Sequence, residues 1–451
     1  MVKPTDILNI SFDDTDFPEG GCTTHASSLF MAKYSDKIRL LDYPLLVRLN
    51  PGIPWKTRGN ASVVLRLETT LTPEKMFELA NDFVEEYTAG CRHKSSSPGI
   101  VVYKGDPWIP SLRRIYEKAL SDIVTKDLVE ETLEGVGALY RGGRGIIGAT
   151  AALSALGLGE PYTFELLTYR NPEKWGTQRT FDPQSVINAD KECGEELFSN
   201  IDWTTLRPII YPHGPDPVLY GVRGVSVDAI LCFMEKLKTQ EQIHGWALFR
   251  TNQGTSIHRK YAVNKARPYQ IFKDDCQIIG TAEIITGSHV AIDAECTGPG
   301  KVKLLAFRES YPLNFVLRRL IPGDRVLVIG SVRPDDEVPV IAIEELLVEH
   351  LEDLVVKMSP RCPKCGHRMK SMGRGKGYRC PKCGYRSKDL KPLFLRQMRA
   401  IVGGRFIPSY SHLRHLTTPS WLKLPVLDTF PVVVKPFNPP VKHPLGSHGT
   451  H

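Results

Sequence analysis

Two cysteine pairs place the tightest limit on how this chain can fold. The stretch "CPKCGHRMKSMGRGKGYRCPKCGY" carries Cys362, Cys365, Cys380 and Cys383, with 14 residues between the pairs. Each Cys-Pro-Lys-Cys-Gly turn is a knuckle that points two thiolates and backbone N–H groups at one metal. Four thiolates complete tetrahedral Zn²⁺ coordination and leave no open position, so the site is structural rather than catalytic. A rubredoxin-type iron centre uses a similar knuckle. The other six of the ten cysteines are scattered singly. That distribution fits reduced thiols in a cytoplasmic compartment and one metal site better than a disulfide framework.

Charge is distributed as unevenly as cysteine. From residue 356 to the end there are 19 Lys and Arg against two acids, a net of +17, which leaves −9 for the first 355 residues. A split of this kind points to a polyanion partner. The basic end has no sustained amphipathic helix, which favours nucleic acid over a membrane surface. Between the knuckles, Arg368, Lys370, Arg374, Lys376 and Arg379 lie in a glycine-containing loop suited to phosphate contact. Tyr378 and Tyr385 could stack on bases or pack against the ribbon.

With 451 residues and 41% apolar composition, the chain has material for about three domains. No apolar run approaches the roughly 20 residues that span a bilayer, and the N-terminus has no secretory pattern. The expected architecture is multidomain α+β. Residues 61–135 alternate strand and helix and read as an α+β insertion of ferredoxin-like type. Residues 1–60 and 136–265 flank it as one domain. Five strand-like runs between about 270 and 350 fit an OB-fold barrel over 266–355, with Arg318 and Arg319 among its basic residues. A ribbon at 356–395 and a basic, Pro-rich segment at 396–451 complete the chain.

The N-terminal domain opens with "ILNISFDDTDFPEGGCTTHAS". A buried strand runs into Asp13, Asp14 and Asp16, then Gly20 and Gly21, then Thr23 and Thr24 at a helix start. Three crowded carboxylates persist when a cation holds them, and Mg²⁺ bridges carboxylates to nucleotide phosphates. Strand, glycine turn and helix is also a phosphate-cradling geometry. Either threonine could cap the helix or face the phosphate. A second glycine-rich turn has Arg141 and Arg144 among Gly142, Gly143 and Gly145, directly before an apolar helix. It is not a Walker loop, because the Lys-Ser/Thr ending is missing. In "YGVRG", Gly221 and Gly224 bracket Arg223. Two such turns suggest a shared phosphate pocket.

Together, "DDTD", "GGCTT", "RLNPGIPWKTRGN", "GRGIIGATAAL", "YRNPEKWGTQR", "PVLYGVRG" and the ribbon resemble the archaeal tRNA-Ile 2-agmatinylcytidine synthetase (agmatidine synthase) family over roughly residues 5–420. The resemblance implies ATP-dependent ligation of agmatine to C2 of the wobble cytidine in the CAU-anticodon isoleucine tRNA. It implies a kinase-like N-terminal domain, an OB domain and a zinc ribbon that hold tRNA, with ATP, Mg²⁺ and Zn²⁺. It also implies that Thr23 is phosphorylated, that Asp13, Asp14 and Asp16 form the acidic cluster, and that Arg58, Gly59 and Asn60 form a phosphate element. Phe17 departs from the small polar residue expected after the acids. Glu165 and Asp216 are candidates for the guanidinium of agmatine. A non-catalytic OB-fold and ribbon RNA-binding protein is the alternative reading.

Overall fold

The computed structural model describes residues 6–17, 20–56, 59–89, 96–334, 337–429, 433 and 436–438. Arg58 lies outside them. A ten-stranded sheet dominates the first 260 residues. Its strands are β1 (Asp6–Asp13), β2 (Ile38–Leu40), β3 (Leu45–Arg48), β4 (Ala61–Thr69), β5 (Gly99–Lys104), β6 (Leu139–Gly142) and β7 (Thr163–Tyr169), then β10 (Val218–Gly224) and β11 (Gly245–Thr251). Residues 437–438 add a short edge pairing to β11. Between β7 and β10 a small hairpin is formed by β8 (Ile201–Asp202) and β9 (Arg207–Pro208). The main order is β10-β7-β11-β3-β4-β1-β5-β6. Every pairing along it is antiparallel except β11 with β3.

β1 is central because it is apolar on one face and compact on the other. Leu8, Ile10 and Phe12 are fully buried, and Asn9 and Ser11 are almost so. Such a strand needs ladder partners on both sides, and β4 and β5 supply them. Residues 61–135, expected as a separate insertion, therefore share one sheet with the strand that carries the aspartates and flank it on both sides. Helices α1 (Thr23–Lys33) and α2 (Pro73–Thr88) cover one face of this part of the sheet. α2 starts as its sequence dictates, with Thr72 accepting from the Lys75 N–H at 3.3 Å and Pro73 in the first turn. α3 (Pro110–Ser121), α4 (Lys126–Gly135) and α5 (Gly145–Leu153) cover the other face. α6 (Pro183–Cys193) and α7 (Val227–Lys236) pack on β7 and β10.

Where the two halves of the sheet meet, charge is buried. Asp42 accepts from Arg66 at 3.2 Å and from both Nε (3.1 Å) and Nη2 of Arg250. All three side chains are at most 6% exposed. Burial, partly offset by Asp42, pulls the Arg66 guanidinium down to about 10. Asp42→Ala removes the carboxylate that two buried guanidiniums share, while their bonds to the Ala155 and Leu156 carbonyls remain. Breaking a buried pair costs about 3–5 kcal/mol, so the stability of the variant is expected to fall by that amount in thermal unfolding. An unchanged melting curve would show the cluster to be relaxed in solution.

The second body is a closed five-stranded barrel of β12 (Ile271–Ile278), β14 (His289–Cys296), β15 (Gly300–Ala306), β16 (Arg325–Val332) and β17 (Val340–His350). The order is β12-β16-β17-β15-β14, closed by β14 on β12, with β15 and β17 parallel. A short β13 (Glu283–Ile285) extends β14, and α8 (Leu313–Leu317) lies between β15 and β16. Alternating residues fill the interior, as in β12 with Phe272, Cys276 and Ile278.

Four cysteines expected as free thiols are paired. Cys193 at the end of α6 bonds Cys232 in α7, and Cys276 bonds Cys296. The second pair are directly opposed residues of β12 and β14. Tertiary proximity, which spacing in sequence does not reveal, brings both pairs together.

The described part of the basic segment after the ribbon folds back onto both bodies. It pairs with β17 at Gly404–Phe406, then runs back as a strap over the large sheet. Leu416, Thr417 and Leu427 are buried in that course. Strap and barrel meet at Glu344. Its carboxylate accepts from Ser331 Oγ (2.7 Å) and faces Arg414 Nε (3.1 Å) and His258 Nε2 (3.3 Å). Burial works to raise its pKa, but Arg414, then His258 and Ser331, outweigh it and hold the group at about 2 against an ordinary 4.5. A depressed carboxylate contributes stability above its unfolded pKa and loses it as pH falls through the folded one. Glu344→Gln is therefore expected to lower the melting temperature at neutral pH. The gap to the parent should close between about pH 4.5 and 2; a gap independent of pH would refute the ionic account.

Candidate active site

The end of β1 separates its aspartates. A cavity on the α5 side is lined by Asp13, Asp14, Trp55, Lys56, Asp122 and Arg144. Asp13 reaches it because α5 begins with glycine where its carboxylate lies. A Cβ on Gly148 would sit 1.8 Å from Asp13 Oδ2, and one on Gly145 would strike the backbone of residues 97 and 99. Asp14 takes a left-handed conformation (φ 53°), which turns its N–H to Asp13 Oδ1 at 2.7 Å. Its own Oδ2 accepts from the Ser97 N–H at 2.8 Å. Burial, then the charge of Asp14, pushes the Asp13 carboxyl well above its ordinary range. Lys56 is drawn downward by burial and by Arg414. Two carboxylates, a lysine, an arginine and a helix start are groups that could hold a cation together with phosphates.

Asp16 lines a second cavity of about 500 Å³ on the other side of β1. Thr23, Thr24, Arg48, Glu165 and Arg223 line it too. Thr23 Oγ1 accepts from Thr15 Oγ1 at 3.2 Å and lies 3.4 Å from the Thr15 N–H. The helix cap is Cys22 rather than either threonine, and it makes no side-chain capping bond. The Tyr87 hydroxyl instead accepts the Cys22 N–H at 3.0 Å. Glu165 lies between two arginines, with Arg48 Nη2 at 3.2 Å and Arg223 Nε at 3.1 Å. Asp216 also lines the cavity, while its Oδ1 accepts from the Val218 N–H at 3.2 Å.

Several expectations need correction. The acid trio does not converge: Asp13 and Asp14 face one cavity and Asp16 the other. Among the described residues, the four ribbon cysteines are the group of three or more ligand-type side chains close enough to share an ion. Gly20 and Gly21 cradle protein rather than phosphate. A Cβ at Gly20 would meet the Trp175 ring at 2.6 Å, and one at Gly21 the Phe17 ring at 2.1 Å. Phe17 is buried and meets Tyr87 edge-on, so the residue that departs from the family pattern forms a floor under the turn. Arg141 is in an exposed ion pair with Glu85 at 2.5 Å and lines neither cavity. Arg144 and Arg223 serve different cavities, so the two Gly-Arg turns share no pocket. Arg223 lies within β10 rather than opening a helix.

The ribbon forms as its spacing requires. The four sulfurs lie within 4.8 Å of one another, which fits one tetrahedral Zn²⁺. Arg368, Lys370, Arg374, Lys376 and Arg379 are exposed. Tyr378 and Tyr385 pack against the ribbon core. On the barrel, Arg318 is exposed, and Arg319 stacks on the Phe315 ring at 3.5 Å.

Family models match as the TiaS TCKD domain over residues 9–72, the TiaS FLD domain over 143–258 and the TiaS C-terminal zinc ribbon over 359–401. TiaS of Acidilobus saccharovorans, an isoleucine-tRNA 2-agmatinylcytidine synthetase, is 39% identical over 432 residues, covering 95% of this chain and 97% of that protein. This chain belongs to the TiaS family. A second TiaS relative, from Staphylothermus marinus, is 36% identical over 92% of this chain and 93% of its own. A solved complex of TiaS with its isoleucine tRNA and ATP superimposes with TM-score 0.82 at 32% identity, covering 92% of this chain and 97% of the other. A solved complex of TiaS with the same tRNA, AMPCPP and agmatine gives 0.79 at 29% over 92% and 96%. The segments matched to TiaS models end at residue 72 and resume at 143, where the sequence pattern suggested divisions at 61 and 136.

Reading the sequence missed Arg48, Lys56 and His415. Arg48 and Lys56 lie in or beside the quoted "RLNPGIPWKTRGN", whose spacing from the acids gives no local signal. His415 comes from the strap. Gly59 admits both Arg48 and His415: a Cβ there would lie 2.3 Å from Arg48 Nη1 and 3.1 Å from His415 Nε2.

Proposed function

We infer that this chain is an ATP-dependent ligase that joins agmatine to C2 of the wobble cytidine of the AUA-decoding isoleucine tRNA. The observation that carries this reading is end-to-end similarity to TiaS proteins, including those solved with isoleucine tRNA, ATP and agmatine. A purely RNA-binding module leaves the two cavities at the end of β1, with their carboxylates and basic side chains, without a purpose. A tRNA substrate places the reaction in the cytoplasm. No helix among the described residues is long and apolar enough to cross a membrane.

The cytosine C2 oxygen is a poor leaving group, and phosphorylation makes it a good one. Asp13 and Asp14 would hold Mg²⁺ against nucleotide phosphates, which is how two carboxylates usually take this ion. The ion supplies charge neutralisation. Lys56, Arg144 and the start of α5 add fixed positive potential for the same phosphates. Thr23 lies on the second cavity, where its hydroxyl would be available to take up a phosphoryl group. That cavity would receive the cytosine and the amine. The N-terminal sheet is the kinase-like body, the barrel an OB-fold, and the ribbon a Zn²⁺-held tRNA clamp assisted by Arg318 and Arg319.

Incubating the CAU-anticodon isoleucine tRNA with ATP and agmatine, then digesting it for nucleoside mass spectrometry, tests the reading. The wobble cytidine should gain the mass of agmatine less water, and only with ATP present. Unmodified cytidine in the complete reaction would overturn it.

A further inference from the structure

The amine of agmatine arrives protonated, and no residue so far accounts for its deprotonation. We propose that His415, delivered by the C-terminal strap, is the general base that accepts this proton. The inference rests on the function proposed above.

The placement of His415 is fixed on both sides. Its carbonyl accepts the Gly254 N–H at 2.7 Å, and the next carbonyl, of Leu416, accepts the Ser256 N–H at 2.6 Å. Upstream, Arg414 Nη1 holds the Pro51 carbonyl at 2.9 Å, and Ser411 Oγ donates to Asp202. The imidazole then opens onto the second cavity, on the same wall system as Thr23 and Asp16. Among the described residues it makes no side-chain hydrogen bond, in contrast to Glu165, Asp216 and His412. Both oxygens of Glu165 accept from arginines, Asp216 accepts from Val218, and His412 Nδ1 pairs with Ser409 Oγ at 3.3 Å.

The surrounding charges suit the role. The cations facing this cavity are Arg48 from β3, Arg223 from β10 and Arg207 from β9. The anions are Asp16, Glu165 and Asp216, and His213 and His412 are the remaining histidines. Arg48 first, and Arg223 with it, draw the pKa of the imidazole down from its ordinary value, while the side chain stays exposed toward the cavity and keeps a nitrogen lone pair open to the amine. The same positive field lowers the affinity of a nearby ammonium for its proton. One proton moves from the ammonium to His415. The amine electron pair forms the C2–N bond while the C2–O bond breaks. The oxygen leaves with its electron pair as inorganic phosphate, and the nitrogen's surplus proton passes to solvent.

The test uses the full chain as His415→Gln and His415→Asn with the parent alongside. Three quantities are followed: tRNA affinity, tRNA-dependent ATP consumption and agmatidine formation. Both variants should keep tRNA affinity and the rate of first-turnover ATP consumption, which precedes amine attack, within about threefold. Agmatidine formation should fall about 10²–10⁴-fold, the usual contribution of a general base. The loss should shrink as pH rises and free amine accumulates. Agmatidine formation within threefold of the parent would overturn the proposal. So would an equal loss of first-turnover ATP consumption, which would make His415 a phosphate ligand, or of tRNA affinity, which would make it a binding residue. A parent that consumes ATP without making agmatidine would instead refute the function itself.

Discussion

Asp13→Asn is expected to reduce ATP consumption about 10³-fold or more while raising, or leaving unchanged, the melting temperature of the protein without nucleotide. The two halves have one cause. Asp13 is pressed into α5 by Gly148 and stands beside Asp14, and burial first, then that neighbour, pushes its carboxyl well above its ordinary range. At pH 7 its ionised form is therefore disfavoured in the folded state, and the neutral amide relieves that cost. A carboxyl raised on folding disfavours the native state above its folded pKa and ceases to do so on protonation. The thermal gap between variant and parent should accordingly close as pH falls. Phosphoryl transfer depends almost wholly on positioning and charge neutralisation, so loss of the oxygen proposed to hold Mg²⁺ would not be made good by neighbouring groups. Calorimetry with and without Mg–ATP separates the effects: nucleotide should stabilise the parent and not the variant. Gly148→Ala tests the geometry independently, because its methyl would occupy the place of Asp13 Oδ2. Turnover within tenfold of the parent in both variants would remove Asp13 from the site.

What could be read in advance followed locality. The ribbon is written in two knuckles, and the barrel in period-2 alternation, so both were legible. β1 was legible as an apolar run, but its neighbours were not. The helix and strand pattern of 61–135 is equally compatible with a free-standing unit and with strands that flank β1. Only the ladder from Asp6 opposite Thr69 to Phe12 opposite Val63 decides between them. Gly20 and Gly21 beside acids look like a phosphate turn, yet Trp175, 155 residues from Gly20, explains the first of them. The strap was illegible for a different reason. It has no period because it forms no layer; backbone bonds to residues 254 and 256 and the Arg414–Glu344 pair hold it. Functional residues carried on such a segment leave no pattern. His415 accordingly emerged from the geometry of the cavity alone.

Replacing Cys362 and Cys383 with serine is expected to release zinc, unfold the ribbon and weaken tRNA binding at least tenfold, with ATP binding unchanged. The ribbon has almost no core of its own. Cys362, Met369 and Cys380 are its buried apolar residues, with Tyr378, Tyr385 and Leu390 packed around them. A unit this small folds on its metal, and a four-ligand zinc site contributes about 10–16 kcal/mol in isolated fingers. Without it, the three short strands Lys370–Ser371, Tyr378–Arg379 and Arg386–Ser387 have nothing to hold their register. The damage should stay local, because a two-stranded stem of Leu354–Met358 and Leu393–Gln397 stands between ribbon and barrel. Arg368, Lys370, Arg374, Lys376 and Arg379 would keep their charges and lose their arrangement. If about six phosphates are neutralised here, log affinity falls with log salt at a slope of roughly −4 for a single strand. The zinc-free variant should show a shallower slope as well as a weaker affinity. Loss of affinity at an unchanged slope would mean that the ribbon contributes shape rather than charge. An unchanged affinity in a protein shown to lack zinc would exclude it as the clamp, and leave Arg318, Arg319 and the barrel to hold the tRNA.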